Sequence, residues 1–263
     1  MTTRKRFEKV IINRCKKPNI NGYFLNNSEN LLGDIDLDLF QQDLMQGSGN
    51  ELKSKFNAVY SSSALGVNNF AIVKLHLDKF EFLGESNFNK AQFERQFRTG
   101  LGGTPPNLDF TIENNETIIA FESKFLEPLD RKDAKFTESY KKEKLDYLDD
   151  LWFSLIDKYQ NVSSYLDVAQ LIKHSIGLIN HKNLFPQIKK VILVYIYWTP
   201  DNFADFSEYK QHEKELFDFK KEIEKSKDLD FVSLTYNQFW DIYDNSVFQE
   251  HFDKMRNRYK IEI

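Results

Sequence analysis

Two runs with the residue preferences of strands, Leu108 to Glu113 and Thr117 to Phe125, stand on either side of Asn114-Asn115. Asparagine tolerates the positive φ that tight connections need, so the segment predicts an antiparallel hairpin. With a two-residue turn, Glu113 faces Glu116 and Asp109 faces Ala120, because antiparallel partners keep a constant index sum. Side chains alternate faces, so Ala120, Glu122 and Lys124 project to one side, and Asp109 joins them. Ile119, Phe121 and Phe125 project to the other side with Phe110 and Ile112, a surface that needs helices against it.

The polar face calls for a cause. Asp109 falls diagonally across from Glu122, at roughly 7–8 Å for paired strands. Two carboxylates converging from that separation can share a divalent cation. Mg²⁺ suits them because it takes few protein carboxylates and completes its octahedron with water and phosphate oxygens. Lys124 adds a positive charge beside them, and the whole is the layout of a metal-dependent phosphodiesterase site. The half-motif alone carries nothing, since acid-x-Lys recurs at Asp130-Arg131-Lys132, Glu208-Tyr209-Lys210 and Asp218-Phe219-Lys220. Context separates Glu122-Ser123-Lys124: it interrupts an apolar strand and follows a same-face aspartate. The competing reading is a solvated hairpin face with ordinary cross-strand ion pairs.

Gly102-Gly103-Thr104-Pro105-Pro106-Asn107-Leu108-Asp109 followed by Glu122-Ser123-Lys124 resembles the PD-(D/E)XK nuclease superfamily. More narrowly it is similar to restriction-endonuclease-like bacterial proteins with Gly-Gly-Thr-Pro-x-x-x-Asp before a Glu-x-Lys strand. The close match runs from Glu94 to Leu126, with looser echoes in Ser61 to Phe70 and Gln170 to His174. The family's proline before the aspartate is replaced here by Leu108. The resemblance implies an α/β fold: a restriction-endonuclease-like core, with a central mixed β-sheet flanked by helices and added N- and C-terminal helical elements. It implies that Asp109 and Glu122 bind Mg²⁺, with Mn²⁺ as a substitute, and that the Ser123 carbonyl adds a ligand. Lys124 would orient or help activate the attacking water. DNA is the implied substrate, in a restriction or related defence role. A homodimer and a cognate DNA methyltransferase encoded nearby are the implied partners.

Four further residues join the candidate set. An acidic residue on the first core helix often completes such sites. Glu51 fits, since Ser48-Gly49-Asn50 reads as a helix start and Leu52, Phe56 and Val59 recur at helical spacing; Glu51 equally suits a positive helix N-terminus. Glu94 is expected to shape the site or pair with Arg95 or Arg98. Gln170 and His174 are four apart and share a helix flank, beside the apolar stripe Leu166, Ala169, Ile172, Ile176 and Ile179. Related nucleases use a polar residue of this helix near the metal or scissile phosphate. Gln170 is carried as a site candidate, while His174 reads as a boundary position.

The 263 residues suit one elaborated domain, with a core near 48–198, an N-terminal extension 1–47 and a C-terminal elaboration 199–263. Helices are predicted near Thr137 to Tyr159, Ser164 to Asn180 and Ser207 to Lys225. Lys190 to Trp198 reads as a strand buried on both faces, and Leu229 to Tyr236 as a further strand. Charged residues make up 29% and no long apolar run occurs, so no membrane span is expected. No secretory leader is apparent, a lone Cys15 excludes an internal disulfide, and five scattered histidines show no zinc spacing, so the cytoplasm is the expected compartment. The net charge of −4 rules out nucleic-acid binding by bulk charge, leaving local patches. Two exist: Arg4, Lys5, Arg6, Lys9, Arg14, Lys16 and Lys17 at one end, and Lys254, Arg256, Arg258 and Lys260 at the other. Asp34-Ile35-Asp36 lacks the glycine and glutamate of a calcium loop, and no dinucleotide or Walker motif is present. The remaining alternatives are a non-catalytic nucleic-acid- or partner-binding protein that keeps the fold, and a nuclease for RNA, branched DNA or DNA ends.

Overall fold

A strand apolar on both faces must sit inside a sheet covered on two sides, and the run from Lys190 does so. The computed structural model describes residues 1–46, 52 and 55–263. Helix α1 (Thr3–Cys15) leads to the short strands β1 (Asn19–Ile20) and β2 (Tyr23–Phe24), then α2 (Gln41–Gln46) and α3 (Ser62–Leu75). Strands β3 (Lys90–Gln96), β4 (Asn107–Glu113) and β5 (Thr117–Lys124) form a meander. Next come β6 (Lys132–Asp133), α4 (Asp150–Tyr159), β7 (Ser163–Ser164), α5 (Val168–Leu184) and β8 (Lys190–Tyr197). Helix α6 (Ser207–Ile223), strand β9 (Asp230–Thr235) and helices α7 (Tyr236–Ile242) and α8 (Gln249–Tyr259) complete the order. The main sheet runs β3-β4-β5-β8-β9. Its first pairs are antiparallel and the β5-β8 and β8-β9 pairs are parallel.

Apolar side chains from the two faces form two separate layers. On one, Phe110, Ile119, Phe121 and Val194 pack under α1, α3, α7 and α8. On the other, Ile118, Ala120, Leu193 and Tyr195 pack under α4, α5 and α6. Phe70 of α3 stacks on Phe110 at 4.7 Å and meets Phe121 at 4.8 Å, so α3 clamps the apolar face of the β4-β5 hairpin. Each buried phenylalanine contributes roughly 1.5–3 kcal/mol. A one-residue slip of either strand would turn Phe110 or Phe121 to the polar side, so this packing fixes the register.

The hairpin connection is longer than the two-residue turn expected of Asn114-Asn115. Glu113 pairs with Ile118 and Phe110 with Phe121. Asn114 causes the difference: its Oδ1 accepts the N–H groups of Glu116 and Thr117, and its Nδ2 donates to the Ser86 carbonyl. The side chain holds the turn open and the Asn114 N–H bonds back to the Thr117 carbonyl. The index sum rises by an even number, so face parity survives. Asp109 now falls opposite Glu122 rather than Ala120.

Several helix boundaries also move. Helix α3 begins at Ser62, and its N-cap Ser61 accepts from the Ala64 N–H. Phe56 and Val59 lie in turns before it, and Glu51 with its expected helix start lies outside the described residues. Residues 137–149 are turns rather than helix; α4 begins only where Asp149 caps the Leu151 N–H. Ser163–Ser164 pair with Lys132–Asp133, delaying α5 to Val168, where Asp167 caps the Gln170 N–H. Gly177 of α5 lies so close to Phe97 that an added Cβ would meet the Phe97 carbonyl oxygen at 2.5 Å. No helix is long and apolar enough to cross a membrane among the described residues.

Candidate active site

The strand alternation breaks where the carboxylates gather. Phe93 lies in the first apolar layer and Phe97 in the second; on β4, Phe110 lies in the first and Leu108 in the second. Residues two or four apart on a regular strand share a face. Between them Glu94 has φ of 51°, a left-handed backbone within a strand, which costs on the order of 1–3 kcal/mol. The β3-β4 ladder skips this level, passing from Phe93↔Phe110 to Arg95↔Leu108. The β4-β5 ladder also ends at Phe110↔Phe121, and beyond it the Ser123 N–H donates to Asp109 Oδ2 at 2.6 Å. By register, Glu94, Asp109 and Glu122 stand at one level across β3, β4 and β5.

Glu122 is 1% exposed, and its charge is met from two sides. Lys124 Nζ donates to its Oε1 at 2.5 Å. Nε2 of buried His174 lies 2.9 Å from its Oε2, within ion-pair distance. Lys124 also donates to Gln170 Oε1 at 2.8 Å. Helix α5 thus turns two residues of one flank onto the Glu-x-Lys strand. Gln170 thus lies against Lys124, whereas His174 is no boundary residue: it is buried against Glu122. The i,i+4 spacing with Gln170 was the signal available for this.

The electrostatics follow from crowding. Burial raises Asp109 well above the usual carboxylate range, and the charges of Glu122 and Glu94 push it further, against the pull of Lys124 and the Ser123 N–H. Burial also acts to raise Glu122, but Lys124 and His174 outweigh it and hold it below its ordinary value. Burial acts to lower Lys124, and Glu122, Glu127 and Asp109 together raise it, so its ammonium stays charged. Glu94 is buried and accepts a hydrogen bond from Asn107 Nδ2 at 3.0 Å.

A cleft of about 620 Å³ opens over this row. Glu94, Asp109 and Gln170 line it, as do Ser62 at the start of α3, and Arg4 and Lys132. Gln170 also borders a smaller adjoining cavity of about 190 Å³ with Lys124. Ser123 turns its hydroxyl the other way, to the Tyr236 hydroxyl at 2.6 Å. Because the Trp198 N–H binds the Lys124 carbonyl on the β8 side, strand alternation directs the Ser123 N–H and C=O toward β4 and Asp109. Asn68 and Asn69 have structural work instead: Asn68 bonds Leu32, Asn30 and Tyr259, and Asn69 Oδ1 accepts from Trp240 Nε1.

Hard oxygen donors suit a hard divalent cation. Among the described residues no group of three or more His, Cys, Asp or Glu side chains is arranged to hold a metal ion by itself. Asp109, Glu122 and the Ser123 carbonyl would offer two carboxylates and one carbonyl, a set that would suit Mg²⁺, a cation that keeps several waters and substrate oxygens. The repulsion that Glu122 and Glu94 exert on the buried Asp109 carboxylate is what such a cation would relieve.

A mixed five-stranded sheet between helical layers, with Asp109, Glu122 and Lys124 gathered across its strands, defines a restriction-endonuclease-like protein. The family described as restriction endonuclease associating with ARP matches residues 5–260, and the chain belongs to it. No curated protein and no solved structure matches the chain.

Proposed function

We propose that this protein is an Mg²⁺-dependent DNA endonuclease of the PD-(D/E)XK kind, serving restriction or a related defence against foreign DNA. The observation that carries this reading is the meeting of Asp109, Glu122, Lys124 and Gln170 beside one cleft. Asp109, Glu122 and the Ser123 carbonyl are the residues to hold Mg²⁺, or Mn²⁺ in its place. When bound, the cation polarises the scissile phosphate and lowers the pKa of a coordinated water. Lys124 is a poor base, because Glu122 keeps it protonated. Its role is to offset negative charge developing on the phosphoryl oxygens, and Gln170 fixes the direction in which its ammonium points. His174 backs Glu122, and Glu94 shapes the approach to Asp109.

The family's description supports a partner protein, ARP, for this chain as well. A homodimer would let two such sites cut both strands, and a methyltransferase encoded nearby would protect host DNA.

Incubation of the purified protein with circular DNA, linear DNA and RNA, in Mg²⁺ and in EDTA, tests the reading. Discrete DNA fragments in Mg²⁺ alone are expected. Salt-sensitive DNA binding with no cleavage of any substrate would favour a binding protein that retains the fold, and cleavage of RNA alone would move the substrate class.

A further inference from the structure

The first 17 residues carry seven Lys and Arg against the single Glu8, a net +6, so the rest of this −4 chain carries −10. Most of that positive charge lies on α1. Its buried side, Phe7 and Ile11, faces the core. Phe7 packs edge-on against Phe125 at 4.8 Å and Trp198 at 5.1 Å. Phe125 directly follows Lys124, so α1 is braced on the end of the strand that carries Glu122 and Lys124.

The outer side is basic along its length. Lys5, Arg6, Lys9, Arg14 and Lys16 are exposed; Lys5 and Lys9 share one helical stripe, and Lys16 follows the helix as its left-handed C-cap. Arg4, at the cleft, pairs with Asp130 at 2.7 Å, while Lys5, Arg6, Lys9 and Lys16 make no ion pair among the described residues. The first turn holds Arg4, Lys5 and Arg6 and no acidic residue, against the preference of a helix N-terminus for negative charge. At the far end Arg14, Lys17, Lys254 and Arg258 line a hollow of about 330 Å³. Three of these four bind neutral oxygens: Arg14 the Lys260 carbonyl, Lys17 the Glu29 carbonyl and Arg258 the Asn30 side chain. Arg14 and Lys17 of the first basic end thus meet Lys254 and Arg258 of the second at this hollow, where Lys254 is paired with Asp34 and Glu250.

We infer that the exposed face of α1 is a track for the phosphate backbone of duplex DNA, leading from the cleft along Lys5, Lys9 and Lys16 to the cationic hollow at Arg14 and Lys17. This deepens the nuclease reading and rests on it. The helix has 13 residues, or about 20 Å at a rise of 1.5 Å each. One DNA strand presents about six phosphates over that length, at one per 3.4 Å. The rest of the chain carries a net −10, so the concentration of positive charge on α1 gives orientation as well as affinity.

The test is binding of a fluorescent duplex by the full chain in EDTA, over a series of salt concentrations. Lys5→Gln/Lys9→Gln/Lys16→Gln keeps good helix formers at exposed positions and is compared with Lys214→Gln/Lys221→Gln/Lys227→Gln, three exposed lysines on and after α6. The α1 variant is expected to bind about tenfold more weakly or worse at 0.1 M salt, with the slope of log K against log salt reduced by about 2–3. The α6 variant should bind as the parent does. Equal binding by the α1 variant and the parent overturns the inference and leaves the nuclease reading standing. Failure of the parent to bind duplex DNA also overturns the inference, and the nuclease reading then stands or falls on the cleavage assay in Mg²⁺.

Discussion

Replacing Lys124 by methionine should cost stability as well as activity. Glu122 is 1% exposed, and its carboxylate is met by a hydrogen bond from Lys124 and by His174 Nε2 at 2.9 Å, with Lys124 the larger influence. Methionine fills the volume of the lysine stem and removes the charge, leaving a buried carboxylate beside Asp109 and Glu94. Breaking a buried pair by removing one partner costs roughly 3–5 kcal/mol. In a chain of this size that is a fall in Tm on the order of 10 °C. Glu122→Gln/Lys124→Met removes both charges and should recover most of the loss while remaining inactive. Urea denaturation in EDTA of the parent, both single variants and the double variant gives the coupling energy directly. A Lys124→Met protein within about 1 kcal/mol of the parent would refute the claim that Lys124 is the main compensation for Glu122, which would then be solvated, neutral or held by His174. The consequence for mutagenesis is practical: loss of cleavage in a Lys124 variant must be read beside its stability.

Other outcomes follow from the same packing. His212 is fully buried, and burial lowers its pKa from 6.5 to about 4. The unfolded chain therefore binds a proton that the folded chain refuses, and stability should fall by roughly 3 kcal/mol as pH drops from about 6.5 to about 4; an unchanged pH dependence of the urea midpoint in His212→Gln would contradict this. Gly177→Ala should destabilise by roughly 1–3 kcal/mol through overpacking on the Phe97 carbonyl, although alanine is the better helix former by about 1 kcal/mol; a gain in Tm would show that α5 can move away. Asn114→Ala strands two turn N–H groups and should cost about 1–2 kcal/mol, measurable as a shifted denaturation midpoint, and an unshifted midpoint would mean that the turn does not depend on that side chain.

The parity of the hairpin was legible because it depends only on period two and on an even connection. The true register was not, because it depends on hydrogen bonds from the Asn114 side chain to Glu116, Thr117 and Ser86 that spacing cannot show. Lys190 to Tyr197 was legible as a doubly covered strand since both of its faces are apolar. Residues 137–149 misled because Leu145 and Leu148 are buried at helical spacing, yet the chain reaches them through turns. His174 was hidden for a different reason. A histidine beside an apolar stripe looks alike whether it faces solvent or a carboxylate, and only the docking of α5 on β5 decides. Glu94 was visible as an acid near the motif, but its left-handed backbone and its level beside Asp109 are tertiary facts.

The central claim is that Asp109 belongs to a cation-dependent phosphodiester-cleaving site. Asp109→Asn tests it most directly, because the amide oxygen can still accept the Ser123 N–H while the charge is gone. Parent and variant, matched for folding by circular dichroism, are incubated with circular DNA in Mg²⁺ and in EDTA. The account predicts cleavage by the parent in Mg²⁺ alone and none above background by the variant. Equal cleavage by Asp109→Asn, or cleavage by the parent that persists in EDTA, would contradict it.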